Sequence, residues 1–203
     1  MRLSLDGVSH RFDGGAWLYR GITATFEPGR VYALVGPSGS GKSTLLGILA
    51  GHVEPREGGV TREGISSLVW VFQHPIGVPR RTAVDHVMLP LLARGARVDA
   101  AREEAGILLD RVGLAHRRDA PYAALSGGEA QRLMIARAVG ARPSAVLLDE
   151  PTAQLDRGTA GEVAAVIGEL AGASTVVVVA THDELVRAAA SDTLDLGVDR
   201  TGG

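Results

Sequence analysis

Apolar residues in this chain fall into two alternating patterns: short unbroken runs, and longer stretches in which they recur three and four positions apart. The runs RLSLDGV, ITATFEPG and RVYALVG open the chain and predict three strands separated by polar turns. Glycines at 36, 39 and 41 interrupt the pattern, and KSTLLGILAG follows with helical spacing of Leu45, Leu46 and Leu49 and a stop at Gly51. SSLVWVFQ (66–73) predicts another strand. From His74 to about residue 140 the character changes: HPIGVPRR is a loop, DHVMLPLLARG is helical, and DAAREEAGILLDRVGL is a helix with Asp99 as its expected cap. A helix in AQRLMIARAVGA, with Leu133, Met134 and Ala138 on one side, completes a mostly helical insertion over about 74–140. Strand AVLLDE, helix GTAGEVAAVIGELAG, strand TVVVVATH and helix DELVRAAA then alternate. Strands that are apolar on both sides and separated by helices imply a mostly parallel sheet covered on both faces, hence an α/β fold. The terminal TGG is expected to fray.

Composition narrows the class. The 203 residues, 45% hydrophobic and 22% charged, suit one substantial domain with a real core. A net charge of −2 argues against a surface built for nucleic acid, so no nucleic-acid partner is expected. No cysteine is present for disulfides or thiolate metal sites. The N-terminus lacks the apolar core of a signal peptide, and TVVVVA is far too short to span a bilayer, so a cytoplasmic location is expected.

The candidate chemistry begins at GPSGSGKS, residues 36–43, which with Thr44 matches G-x-x-x-x-G-K-[ST] between a strand and a helix. In that setting Gly36, Pro37, Ser38, Gly39, Ser40 and Gly41 form a backbone anion nest at a helix N-terminus. Lys42 supplies a compact positive charge, and the Ser43 hydroxyl is a candidate Mg²⁺ ligand. The motif signals nucleotide binding without separating kinases, GTPases and motor ATPases. AVLLDE places Asp149 at the end of an apolar strand as a partner for Mg²⁺, and Glu150 one residue later as a base or orienter for an attacking water. LSGGE (125–129) reads two ways. Ser126 and Glu129 form a capping box, yet Gly127 and Gly128 in the first helical turn are costly unless something approaches the backbone closely. A hydroxyl, bare amides and the positive end of a helix also attract phosphate.

LSGGE, with GPSGSGKS before it and AVLLDE after it, resembles the signature of ATP-binding cassette ATPases over nearly the whole chain. The resemblance implies a P-loop NTPase core, an N-terminal antiparallel β subdomain and the helical insertion within one nucleotide-binding domain, 1–203. It implies ATP and Mg²⁺ as ligands. It also implies a second cassette, identical or different, whose Ser126, Gly127 and Gly128 press on the γ-phosphate held by the first chain's Lys42. Gln73 matches the glutamine that contacts Mg²⁺ and the attacking water, His182 matches the switch histidine, and Asp156 in TAQLD matches a loop residue that communicates across the dimer. Gln154 is a departure there. Phe12 stands where the family has an aromatic ring on adenine, with Trp17 and Tyr19 as alternatives. Glu129 in place of glutamine, together with TAVDHVMLPLLARG, is similar to the lipoprotein-release and macrolide-efflux branch. The implied function is an ATPase subunit peripheral on the inner face of the membrane and driving a separate permease. A signalling or structural cassette in a cell-envelope or division complex would use the same parts.

Overall fold

The computed structural model describes residues 1–171 and 175–197. The last residue of the predicted helix GTAGEVAAVIGELAG and the terminal TGG lie outside them. Three strands, β1 (Arg2–His10), β2 (Tyr19–Phe26) and β4 (Glu57–Glu63), form an antiparallel sheet in the order β2-β1-β4. Five others, β3 (Val31–Val35), β5 (Leu68–Val71), β6 (Ala145–Asp149), β7 (Val176–Ala180) and β8 (Asp192–Asp195), form a parallel sheet in the order β5-β6-β7-β3-β8.

Why the inner strands lack alternation is visible in their packing. Successive strand residues face opposite sides. Val146, Leu148, Val177 and Val179 enter one core, while Ala145, Leu147, Val176, Val178 and Ala180 enter another. All nine are buried. Each valine or leucine so buried contributes roughly 1.5–3 kcal/mol, so both faces reward apolar residues. The first core is closed by α5 (Arg157–Ala171) and by α2 (Ala83–Ala93), α3 (Val98–Arg111) and α4 (Gly127–Ala141). The second lies under α1 (Lys42–Ala50) and the antiparallel sheet. A short α6 (Glu184–Ala189) leads into β8.

Three details differ from expectation. The strand in SSLVWVFQ covers only Leu68–Val71, which leaves Phe72 and Gln73 beyond its end. Helix α3 starts at Val98 with Arg97 at the cap position and no side-chain cap, so Asp99 is not the cap; it lies in the first turn, where its charge meets the helix dipole. Strands β4 and β8 were not anticipated, because EGGVTRE and DTLD carry almost no buried apolar residues. Backbone pairing holds them, and Arg62 of β4 also donates to the Leu49 and Ile48 carbonyls at the end of α1, at 2.8 and 2.7 Å.

Candidate nucleotide-binding site

The carboxyl ends of four adjacent strands carry the predicted chemistry in spatial order. Gln73 follows β5, Asp149 and Glu150 end β6, His182 follows β7, and the glycine loop follows β3. Such ends are where open α/β sheets present ligand sites. A cavity of about 650 Å³ lies over them, lined by Gly36, Pro37, Ser38, Gly39, Gly41, Lys42, Ser43 and Thr44, with Phe12, Leu18, Gln73, Glu150 and His182 around them.

The loop conformation follows from its glycines. Gly41 caps α1 with φ of 90° and brings no side chain to the first amides of the helix. A Cβ there would lie 2.8 Å from the Tyr19 ring and 3.1 Å from Leu18, so the position excludes other residues by both strain and space. Ser40 turns its hydroxyl inward beneath Gly36, where it is buried, and is absent from the cavity lining. The Lys42 ammonium donates to the Gly36 and Pro37 carbonyls at 2.9 and 3.2 Å and stands 4.0 Å from Glu150 Oε1.

Asp149 lies below the cavity, 6% exposed, with Oδ1 lacking a hydrogen-bonding partner among the described residues. Burial pushes its carboxyl above the usual aspartate range and the Glu150 charge adds to that; the Ser43 hydroxyl and Lys42 pull the other way. An orphaned buried carboxylate oxygen beside a hydroxyl fits a small hard cation that takes few protein ligands. Glu150 adopts φ of 46°, a region that non-glycine residues rarely occupy outside functional sites. Its amide donates to the Ala180 carbonyl at 2.9 Å, which ties the strained residue to β7. His182 Nδ1 lies 2.8 Å from Glu150 Oε2, within ion-pair distance but without the alignment of a hydrogen bond.

Of the three aromatic candidates, Phe12 alone lines this cavity. Trp17 packs against the guanidinium groups of Arg11 and Arg20, at 4.7 and 5.0 Å, and Tyr19 is buried under Gly41.

Ser126, Gly127 and Gly128 are not brought to this cavity within one chain. The capping box is formed: Ser126 accepts from the Glu129 amide at 3.2 Å, and the Ser126 amide donates to Glu129 at 2.8 Å. What approaches the two glycines inside the chain is the loop after Glu150. A Cβ on Gly127 would lie 2.4 Å from Gln154 Oε1, and one on Gly128 would lie 2.9 Å from the Leu155 side chain. Gln154, the unusual residue of its loop, is thus in contact with the signature.

Residues 19–153 match the protein family described as ABC transporter. The chain belongs to that family. As a cassette ATPase of a transport system, it is similar to lipoprotein-releasing system ATP-binding proteins LolD. That of Saccharophagus degradans is 41% identical over 81% of this chain and 79% of the relative. That of Hahella chejuensis is 41% identical over 81% of this chain and 78% of the relative. Among solved structures, a dimeric ATP-binding cassette bound to ADP and Pi in a post-hydrolysis state superposes with a TM-score of 0.84 and 29% identity, covering 96% of this chain and 94% of that one. The likeness to LolD agrees with the branch suggested by Glu129.

Two site features of this cassette have no signal in its sequence. Leu18 lines the cavity beside Gly41. Arg117 pairs with Glu129, its terminal guanidinium nitrogen donating to the Glu129 carboxylate at 3.2 Å and to the Ala124 carbonyl at 2.8 Å. Both depend on turns, and no motif spacing encodes them.

Proposed function

We propose that this cassette hydrolyses ATP at two sites shared between paired chains, and that the cycle of closing and reopening drives a separate membrane permease. One observation carries the reading. Among the described residues, the cavity holding Lys42, Glu150, His182 and Gln73 is not lined by Ser126, Gly127 or Gly128, which supports their meeting a triphosphate held by another chain. The nest and Lys42 bind the phosphates, Phe12 supports the adenine, and Thr44 follows Ser43 in the first turn of α1. Glu150 orients and deprotonates water, and His182 donates to the γ-phosphate and holds Glu150 in place. Ser43, Gln73 and Asp149 would hold Mg²⁺, which supplies charge neutralisation between the outer phosphates.

Coupling to the permease runs through the loop after Gln73. The Tyr122 hydroxyl donates to the Pro75 carbonyl at 2.8 Å, and a Cβ on Gly77 would overlap the Tyr122 ring. The buried His86 donates from Nδ1 to the Thr82 carbonyl at 2.7 Å and accepts the Val78 amide at Nε2, at 2.9 Å. Movement of Gln73 therefore reaches α2. Beside this loop an apolar groove of about 380 Å³ is lined by Trp70, Phe72, Ile76, Pro90 and Met134, and Ile76 is 77% exposed. An apolar permease segment seated there places the cassette on the inner membrane face. Among the described residues, no helix is long and apolar enough to cross a membrane.

Mixed dimers test the shared site. Lys42→Ala and Ser126→Arg chains are each inactive alone, and mixing restores one intact site per pair and partial ATP turnover. Absence of rescue where mixed dimers form would refute the arrangement.

A further inference from the structure

His10 ends β1 directly behind the proposed base platform. It is 5% exposed, and neither ring nitrogen meets a hydrogen-bonding partner among the described residues. Burying an imidazole in that way is unfavourable compared with an apolar side chain of the same size. Filling the core therefore does not account for its chemistry. What the ring does contact is Phe12: the two centres are 5.2 Å apart and the planes 86° apart, an edge-to-face arrangement. Phe12 is itself 58% exposed and lines the cavity over the glycine loop. The turn between them and β2 is closed by Leu18 donating to the His10 carbonyl at 3.0 Å and Gly15 donating to the Phe12 carbonyl at 2.9 Å. Backbone bonds thus fix where Phe12 starts, and they leave its ring free to swing. Among the described residues, the aromatic ring packed against it is that of His10.

We propose that His10 is a positioning residue, holding the Phe12 ring in the plane in which a purine base stacks and so setting the base-dependent part of nucleotide affinity. The inference rests on the reading of Phe12 as the adenine platform. An exposed ring that must be ordered on binding loses rotational freedom at that moment, and one already ordered does not. The perpendicular imidazole supplies that order, with the preference for edge-to-face packing common to aromatic pairs.

The experiment measures binding of ATP and of inorganic tripolyphosphate, which has the phosphates and no base, by titration calorimetry with Mg²⁺. His10→Ala weakens ATP by about two- to tenfold, the range an aromatic pair supports, and leaves tripolyphosphate unchanged. His10→Leu, which fills the volume without a ring, does the same and serves if the alanine variant fails to fold. His10→Phe keeps a ring edge against Phe12 and retains wild-type ATP affinity. Phe12→Ala weakens ATP, and adding His10→Ala to it has no further effect. Equal losses for ATP and tripolyphosphate in the His10 variants would overturn the proposal, as would wild-type ATP binding by His10→Leu while Phe12→Ala is impaired. Wild-type ATP binding by Phe12→Ala would instead remove the platform reading on which the proposal stands.

Discussion

The Asp149 carboxyl is held above its usual range mainly because burial strips water from the charged form. A folded value above the unfolded 3.8 means that ionisation subtracts stability as pH rises through the folded value, with no penalty below the unfolded one. Asp149→Asn should therefore raise the melting temperature of the nucleotide-free protein at pH 7, with the gain vanishing near pH 3, while Mg²⁺-dependent ATP turnover is lost. Calorimetric scans across pH check the sign. Glu150→Gln should bind ATP, turn over about a hundredfold or more slowly, and accumulate as a dimer on size exclusion. These acidic residues were legible in the chain because a buried strand can carry charge only where it ends, and the glycine loop says which end matters. Phe12 was not separable from Trp17 and Tyr19, since the choice depends on how one turn packs two arginines against Trp17.

At the level of elements, the start of α4 combines a formed cap with a half-buried charge. Burial alone would raise the Glu129 carboxyl, but the Ser126 amide and the Arg117 guanidinium outweigh it and hold the group below its ordinary 4.5. Such a depressed value contributes stability above pH 4.5 that is lost as pH falls through the folded value. Glu129→Gln should thus melt earlier than the parent at pH 7 and converge with it once pH falls below the folded value. The adjacent glycines separate by what confronts them. Gly127→Ala meets only the mobile end of Gln154, whereas Gly128→Ala meets Leu155 and, at 3.2 Å, the Gln154 carbonyl. Thermal melts should show the larger loss for Gly128→Ala. Helices with three-and-four spacing and strands buried on both sides were readable. Strands β4 and β8 were not, because pairing with a neighbour, rather than side-chain burial, makes them strands.

For the whole molecule, the parallel sheet gathers residues from widely separated segments onto one edge, and the helical layer carries an apolar groove away from it. Ile76→Asp should leave basal ATP turnover of the isolated cassette intact and abolish co-purification with the permease, measured by pull-down from membranes. A second cassette was implied by a signature motif with no lysine, and within the described residues of one chain that signature does not line the cavity over the glycine loop. Gln154 and Leu155 lie against Gly127 and Gly128 only a few residues past Glu150. One short turn therefore joins the carboxylate in the cavity to the signature glycines. On the proposed pairing, two cassettes linked in this manner would act in concert, and the ATP dependence of turnover should rise with a Hill coefficient above unity.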